Sequence, residues 1–404
     1  MSFWHTCPAL LKYLISTSCL ILLLFWPVQA QETAGSAPER AFVPERILTA
    51  ETKYLTQLAL KGFRLESQGL LIESLDGSTI YADHQSDVAF NPASVIKLAT
   101  SFTALQKFGP DYHFETAFYT LGAIDKKTRT LKGDLILHST GDPVLSTAEV
   151  NRLVNDVVRA GVARVTGNLI VTGPFTYASY SRTPDGTRHL AAVVRKLGIR
   201  VAGATSMRAF SGMGVKGTML STHTSASLRD ILFRQNAHSI NTTAERVGEA
   251  VGGPKGVEAF LIGTVGIPAS EISVSRTSGL EYNRITPRST IHLLQVMMAW
   301  LSERSMEPED IMPVAGIDAG TLRSRFRSVD YRGAVVGKTG TLPATDGGVS
   351  TLAGILYTKD RGPILFAIFN TRGSVTAYRQ LQDNLLKELI EESGGPQLAR
   401  RASN

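Results

Sequence analysis

The chain has 404 residues, 43% hydrophobic and 19% charged, which is enough apolar material for two or three packed domains and too much for a disordered chain. Its formal charge of +7 comes from 42 basic and 35 acidic side chains mixed along the sequence. With no Lys/Arg arm and no aromatic-rich basic stretch, no nucleic-acid partner is expected.

Residues 1–30 carry a short positive segment ending at Lys12, an apolar run over 13–26, and Pro27-Val28-Gln29-Ala30. This is the pattern of a signal peptide cut after Ala30. The run falls short of the roughly 20 apolar residues a membrane span needs. Cys7 and Cys19 both lie in this segment, so thiol catalysis and cysteine-ligated metals are excluded for the remainder. Export to the periplasm or cell envelope is the expectation.

Residues 32–44 are rich in Ala, Gly, Pro and Ser and read as a disordered leader. Helical spacing follows over 44–63, opened by a proline in the first turn. Two strands are predicted at 69–75 and 78–84 around Asp76-Gly77, a strong hairpin signal. Asn91-Pro92-Ala93 opens a helix to about Lys107. From Tyr112 to about Arg208 the texture changes to short strands and turns: strands at 133–138 and 167–171, and an amphipathic helix at 146–160 capped by Ser146. Gly198, Gly203, Gly212, Gly214 and Gly217 punctuate the return. This stretch has the size of an independent unit and is read as an inserted domain. Helical patterns resume at 225–252, 254–265 and 287–304, strands at 334–338, 349–357 and 364–370, and a last helix at 375–393. The predicted organisation is a signal peptide over 1–30, a first domain over 31–110 and 209–404, and an insertion over 111–208.

Three constellations carry chemistry. Ser94-Val95-Ile96-Lys97 places a hydroxyl and an amine on one helical face. A serine is a weak nucleophile until a base takes its proton, and a desolvated lysine can be that base. In a first helical turn, unpaired backbone N–H groups can hold an oxyanion. Such a pair is usually a solvated helix face, but this one is surrounded by apolar residues and is unique in the chain. Ser239-Ile240-Asn241 cannot share a helical face, yet at a turn between helices both side chains can enter one cleft. Helix capping is the commoner use of both residues. Gly337-Lys338-Thr339-Gly340-Thr341 follows an apolar run and puts a cation and hydroxyls beside backbone that a ligand can approach. Lys338 can bind a carboxylate, and its charge is expected to help keep Lys97 neutral. The bland alternative is an exposed lysine on a hairpin edge.

Together, in this order, the three motifs resemble those of the penicillin-recognising serine acyl-transferases. The chain resembles the D-alanyl-D-alanine carboxypeptidase/endopeptidase family, peptidase family S13 of the class C penicillin-binding protein 4 type. The likeness extends to Leu131–Leu135 with Gly141-Asp142-Pro143, to Ala244-Glu245, to Thr277-Ser278-Gly279-Leu280 with Asn283–Pro287, to Pro313–Gly316 with Gly320-Thr321-Leu322 and Arg325, and to Leu352-Ala353-Gly354. The resemblance implies an α+β fold: a penicillin-binding-protein/β-lactamase-like domain with an antiparallel sheet flanked by helices, interrupted by a smaller inserted domain. It implies attack by Ser94 on a D-Ala-D-X carbonyl with Lys97 as base, and proton relay through Ser239. Asn241 would bind a substrate amide or orient Lys97. Lys338, Thr339, Gly340 and Thr341 would hold substrate, and the backbone N–H groups of Ser94 and Thr341 would form the oxyanion hole. Peptidoglycan stem peptides are the implied substrates and β-lactams the covalent inhibitors, with no cofactor and no metal.

Two departures stand out. An acidic residue after the Gly-Asn-Leu strand and a glutamine after the third motif are replaced by Thr172 and Pro343, so weak discrimination at the third residue of the stem peptide is expected. A serine β-lactamase is the nearest rival, but the chain has no Glu-x-x-Leu-Asn segment to supply a deacylation base. A non-catalytic peptidoglycan- or β-lactam-binding protein is the rival of another class. No Gly-x-Ser-x-Gly elbow or His-Glu-x-x-His helix is present, and His238 beside the second motif has no ligand partner in sequence.

Overall fold

The computed structural model describes residues 41–42, 48–209 and 217–403. The expected signal segment, both cysteines, Gly212 and Gly214 lie outside the described residues.

A six-stranded sheet has the order Ala41–Phe42, Thr79–His84, Gln68–Ser74, Gly362–Thr371, Val349–Thr358, Val335–Leu342. Neighbours are antiparallel except the short first pair. The expected leader therefore contributes a strand at 41–42. The central strands are buried on both faces, which is why they read as continuous apolar runs rather than alternating ones. Alternate residues feed two cores. Leu71, Leu365, Ala367 and Phe369 pack against Leu98, Phe102 and Leu105 of the helix Lys97–Phe108 and against the helix Pro287–Ser302. Leu70, Ile72, Phe366 and Ile368 pack against helices Leu48–Leu60 and Val375–Glu392.

A second sheet has the order Thr205–Arg208, Leu169–Thr172, Leu135–Ser139, His113–Thr120, Thr218–Ser227. Its first three strands run parallel. Parallel neighbours need crossovers, and these are the helices Thr147–Arg159 and Thr183–Lys196. Ser146 caps the first of them in a full capping box with Glu149, as expected. The second helix, which Pro184 opens in its first turn, is an element beyond those predicted. This sheet has a core of its own, built from Phe118, Leu137, Val154, Val171 and Leu190. We propose that it forms the inserted domain. However, Thr218–Ser227 is hydrogen-bonded to His113–Thr120 and lies beyond the expected boundary at residue 208. We propose that the insertion ends with this strand.

Two further corrections bear on the site. Ser94 lies not in the first turn of the α-helix but in a 3₁₀ turn, Ala93–Ile96, immediately before it. The helical stretch predicted over 225–252 is two helices, Leu228–His238 and Asn241–Ala250, broken at Ser239, which takes a left-handed conformation with φ of 56°.

Candidate active site

The break at Ser239 decides the use of the second motif. Asn241 starts a new helix without capping it, and Ser239 closes the previous one through its backbone. Both side chains are thereby free for the cleft, against the capping use that cap statistics favour.

Lys97 Nζ lies 2.8 Å from Ser94 Oγ, 2.7 Å from Asn241 Oδ1 and 2.5 Å from the carbonyl oxygen of Ser278. Its side chain is fully buried. Three acceptors around one nitrogen suit an ammonium with three donors. A neutral amine has two N–H bonds, which Asn241 and Ser278 can take, leaving its lone pair for the Ser94 hydroxyl. Burial pulls the Lys97 pKa down to about 7, and the Glu245 carboxylate pulls the other way.

Lys338, on the strand Val335–Leu342, donates to Ser239 Oγ at 2.9 Å and to the Thr339 carbonyl at 2.7 Å. It too is fully buried, which pushes its pKa well below the ordinary lysine value, and the charge of Lys97 adds to the shift. The two charges oppose each other, so each lysine favours the neutral form of the other, with desolvation the larger cause for both. An anion brought beside Lys338 would favour its charged form.

The remaining residues of the third motif divide. The Thr339 hydroxyl donates to Thr321 Oγ1 at 2.8 Å, and the Thr341 hydroxyl accepts from the Arg379 guanidinium at 2.8 Å. Gly340 lies where a side chain would strike the Pro92 carbonyl, so this strand and the Ser94 turn touch directly. Thr172, on the strand Leu169–Thr172, has its hydroxyl 3.0 Å from His138 Nδ1, and Pro343 is exposed. His238 is also exposed. Among the described residues no cluster of three His, Cys, Asp or Glu is arranged to hold a metal ion.

Sequence reading assigned no role to three neighbours. Ser278 reaches Lys97 through its carbonyl, which no side-chain pattern advertises. Gly279, with φ of 86°, lies against the Ala93 carbonyl. Glu245, one turn along the helix from Asn241, accepts from Thr277 Oγ1 at 3.1 Å, Ser278 N at 3.3 Å and Ser278 Oγ at 2.5 Å. It thus holds in place the carbonyl that orients Lys97. Ala244-Glu245 and Thr277–Leu280 had stood out only as part of the resemblance.

A model of the D-Ala-D-Ala carboxypeptidase 3 (S13) family matches residues 52–185 and 174–390. The chain is 24% identical over 449 aligned positions to a D-alanyl-D-alanine carboxypeptidase of Actinomadura sp. (strain R39), covering 80% of this chain and 81% of that protein. Penicillin binding protein 4 (dacB) of Haemophilus influenzae shares the fold with a TM-score of 0.67 at 18% identity, over 84% of this chain and 99% of that one. A predatory endopeptidase from Bdellovibrio bacteriovorus also has a TM-score of 0.67, at 22% identity, over 82% of this chain and 94% of that one. The chain belongs to the S13 family, and its α+β fold is the penicillin-binding-protein type.

Proposed function

We propose that this S13 family member is an envelope serine-type D-Ala-D-Ala carboxypeptidase/endopeptidase that works on peptidoglycan stem peptides through an acyl-enzyme. The observation that carries the reading is the buried Lys97 amine, held near pKa 7 at 2.8 Å from Ser94 Oγ. That is a base matched to neutral pH and already in contact with its nucleophile.

The Ser94 hydroxyl gives its proton to the Lys97 lone pair as Oγ attacks the carbonyl of the penultimate D-Ala. The backbone N–H groups of Ser94 and Thr341 receive the developing oxyanion. The proton passes by way of Ser239 to the departing amine, the C–N bond breaks, and the acyl group remains on Ser94. Lys338, Thr339 and Thr341 take the terminal carboxylate, Asn241 takes a substrate amide while holding Lys97, and Gly340 lets the peptide backbone approach. Water, activated by the same amine, then releases the acyl group. A β-lactam enters by the same attack because its strained amide mimics D-Ala-D-Ala. The periplasm is the compartment where this substrate is met. Among the described residues, no helix is long and apolar enough to cross a membrane.

A fluorescent penicillin is expected to label the protein on Ser94, located by mass spectrometry of the digest, and a D-Ala-D-Ala-terminated pentapeptide is expected to release D-Ala. Label on another serine sinks the mechanism. Rapid turnover of the penicillin with no D-Ala release favours a β-lactamase, and label with neither turnover favours a binding protein.

The Lys97 pKa sets a pH dependence with a definite sign. Burial lowers it to about 7 and Glu245 raises it, so acylation climbs with pH as the amine loses its proton through that range. Glu245→Gln removes the raising influence, and the midpoint of the acylation–pH profile is expected to move to lower pH. A midpoint that moves upward, or a flat profile across neutrality in the parent protein, contradicts Lys97 as the base.

A further inference from the structure

Ala93, the residue before the nucleophile, has φ of 45°, a region that non-glycine residues seldom occupy. Something must hold it there, and the structure supplies a network. Asn91, buried to 1% exposure, accepts from Ala93 N through Oδ1 at 3.0 Å. Its amide nitrogen donates to the Glu281 carbonyl at 2.8 Å and to Asp346 Oδ2 at 3.0 Å. Asp346 is held in turn by Arg284, with Nη1 at 3.1 Å from Oδ2 and Nη2 at 3.2 Å from Oδ1. One carboxamide therefore ties the nucleophile turn to two other segments. These are the loop that carries the Ser278 carbonyl and the loop beyond the third motif.

We infer that Asn91, fixed by Asp346 and Arg284, is a positioning residue that sets the distance and direction of Ser94 Oγ from Lys97. The inference rests on the acyl-enzyme reading above. Asn91 touches neither reacting atom. It acts through the backbone of Ala93, whose carbonyl lies against Gly279 and whose methyl group faces Gly340. With the far side of the turn closed by those two glycines, the hydrogen bonds of Asn91 are what fix the near side. A misplacement of about 1 Å in a reacting pair can cost on the order of a hundredfold.

The test must keep water from replacing the lost amide. A polar cleft of about 370 Å³ lined by Asn91, Arg284 and Asp346 opens behind the turn, so a truncation to alanine would admit solvent that restores the bonds. Asn91→Leu is therefore the diagnostic variant, with stopped-flow acylation by a fluorescent penicillin as the readout. The acylation rate constant is expected to fall about 10–100-fold. The dissociation constant of the preacylation complex and the midpoint of the pH profile should stay at their parent values, because neither the substrate-holding residues of the third motif nor Lys97 has changed. Asp346→Asn, a milder change that leaves Asn91 in place, should show a smaller loss with the same signature, and it carries the test if Asn91→Leu does not fold. Asn91→Asp, which turns a carboxylate on Asp346, should also be slow, and adding Asp346→Asn to it should recover part of the rate.

A folded Asn91→Leu protein that acylates within about twofold of the parent overturns the inference, as does a loss shared equally between the rate constant and the dissociation constant. A parent protein that takes no label at all overturns the acyl-enzyme reading instead.

Discussion

Lys97→Met is expected to slow acylation of Ser94 about 10²–10⁴-fold, the range a general base contributes. Methionine keeps an unbranched stem of similar length, so packing around the fully buried side chain changes little. What disappears is the lone pair 2.8 Å from Ser94 Oγ. The variant should also report on the amine through stability. An unfolded lysine titrates near 10.4, whereas Lys97 in the folded protein is held at about 7. Between these values the unfolded chain binds more protons, so the stability of the parent protein rises with pH across that window. Lys338 is shifted in the same direction, and that shift lessens in the variant because the Lys97 charge is gone. Lys97→Met should therefore melt with a shallower rise from about pH 7 to 10 than its parent. Acylation at the parent rate would remove Lys97 from the base role. An unchanged stability slope would mean that the amine is not titrating as its burial dictates.

The parts of this site legible in the sequence are those in which a side chain does the chemistry and local spacing brings it there. Ser94 and Lys97 are three residues apart, and a 3₁₀ turn leading into an α-helix preserves that proximity as well as the predicted helix would. Lys338 was legible because a buried strand ending in Lys-Thr-Gly has few other uses. Ser239 and Asn241 were ambiguous, since the same two residues make good caps, and only the helix break at Ser239 settles which way they face. The Ser278 carbonyl and the Asn91 amide were invisible as site elements, because one is a backbone group and the other looks like an ordinary turn residue before proline. In the insertion, strand Thr218–Ser227 was missed for a related reason. It is rich in Thr and Ser, forms the sheet edge, and is half exposed along its length, so its pattern has little apolar alternation to read. Helix Thr183–Lys196 was hidden behind Pro184-Asp185-Gly186, a tripeptide that reads equally as a turn.

Gly279→Ala is expected to cripple the protein more thoroughly than any other single methyl group added near the site, and the comparison with Gly266→Ala shows why. Both glycines have nearly the same backbone, φ of 86° and 85°. An alanine at either position meets the penalty of a left-handed conformation, of order 1–3 kcal/mol. At Gly266 the nearest atom to an added Cβ is His292 Nε2 at 3.9 Å, so that penalty is the whole effect. At Gly279 the new carbon would lie 2.0 Å from the Ala93 carbonyl oxygen and 2.8 Å from Ser94 N. These are backbone atoms of the nucleophile turn and cannot rotate away. The turn must move, which adds about 1–3 kcal/mol of overpacking to the strain. It also displaces Ser94 relative to Lys97, at a cost on the order of a hundredfold in acylation. Gly266→Ala should thus lower the melting temperature modestly and acylate normally. Gly279→Ala should be destabilised by roughly 2–6 kcal/mol and be nearly inert to penicillin. Equal acylation by the two variants would show that the 277–280 segment yields to the added carbon and leaves the nucleophile where it was.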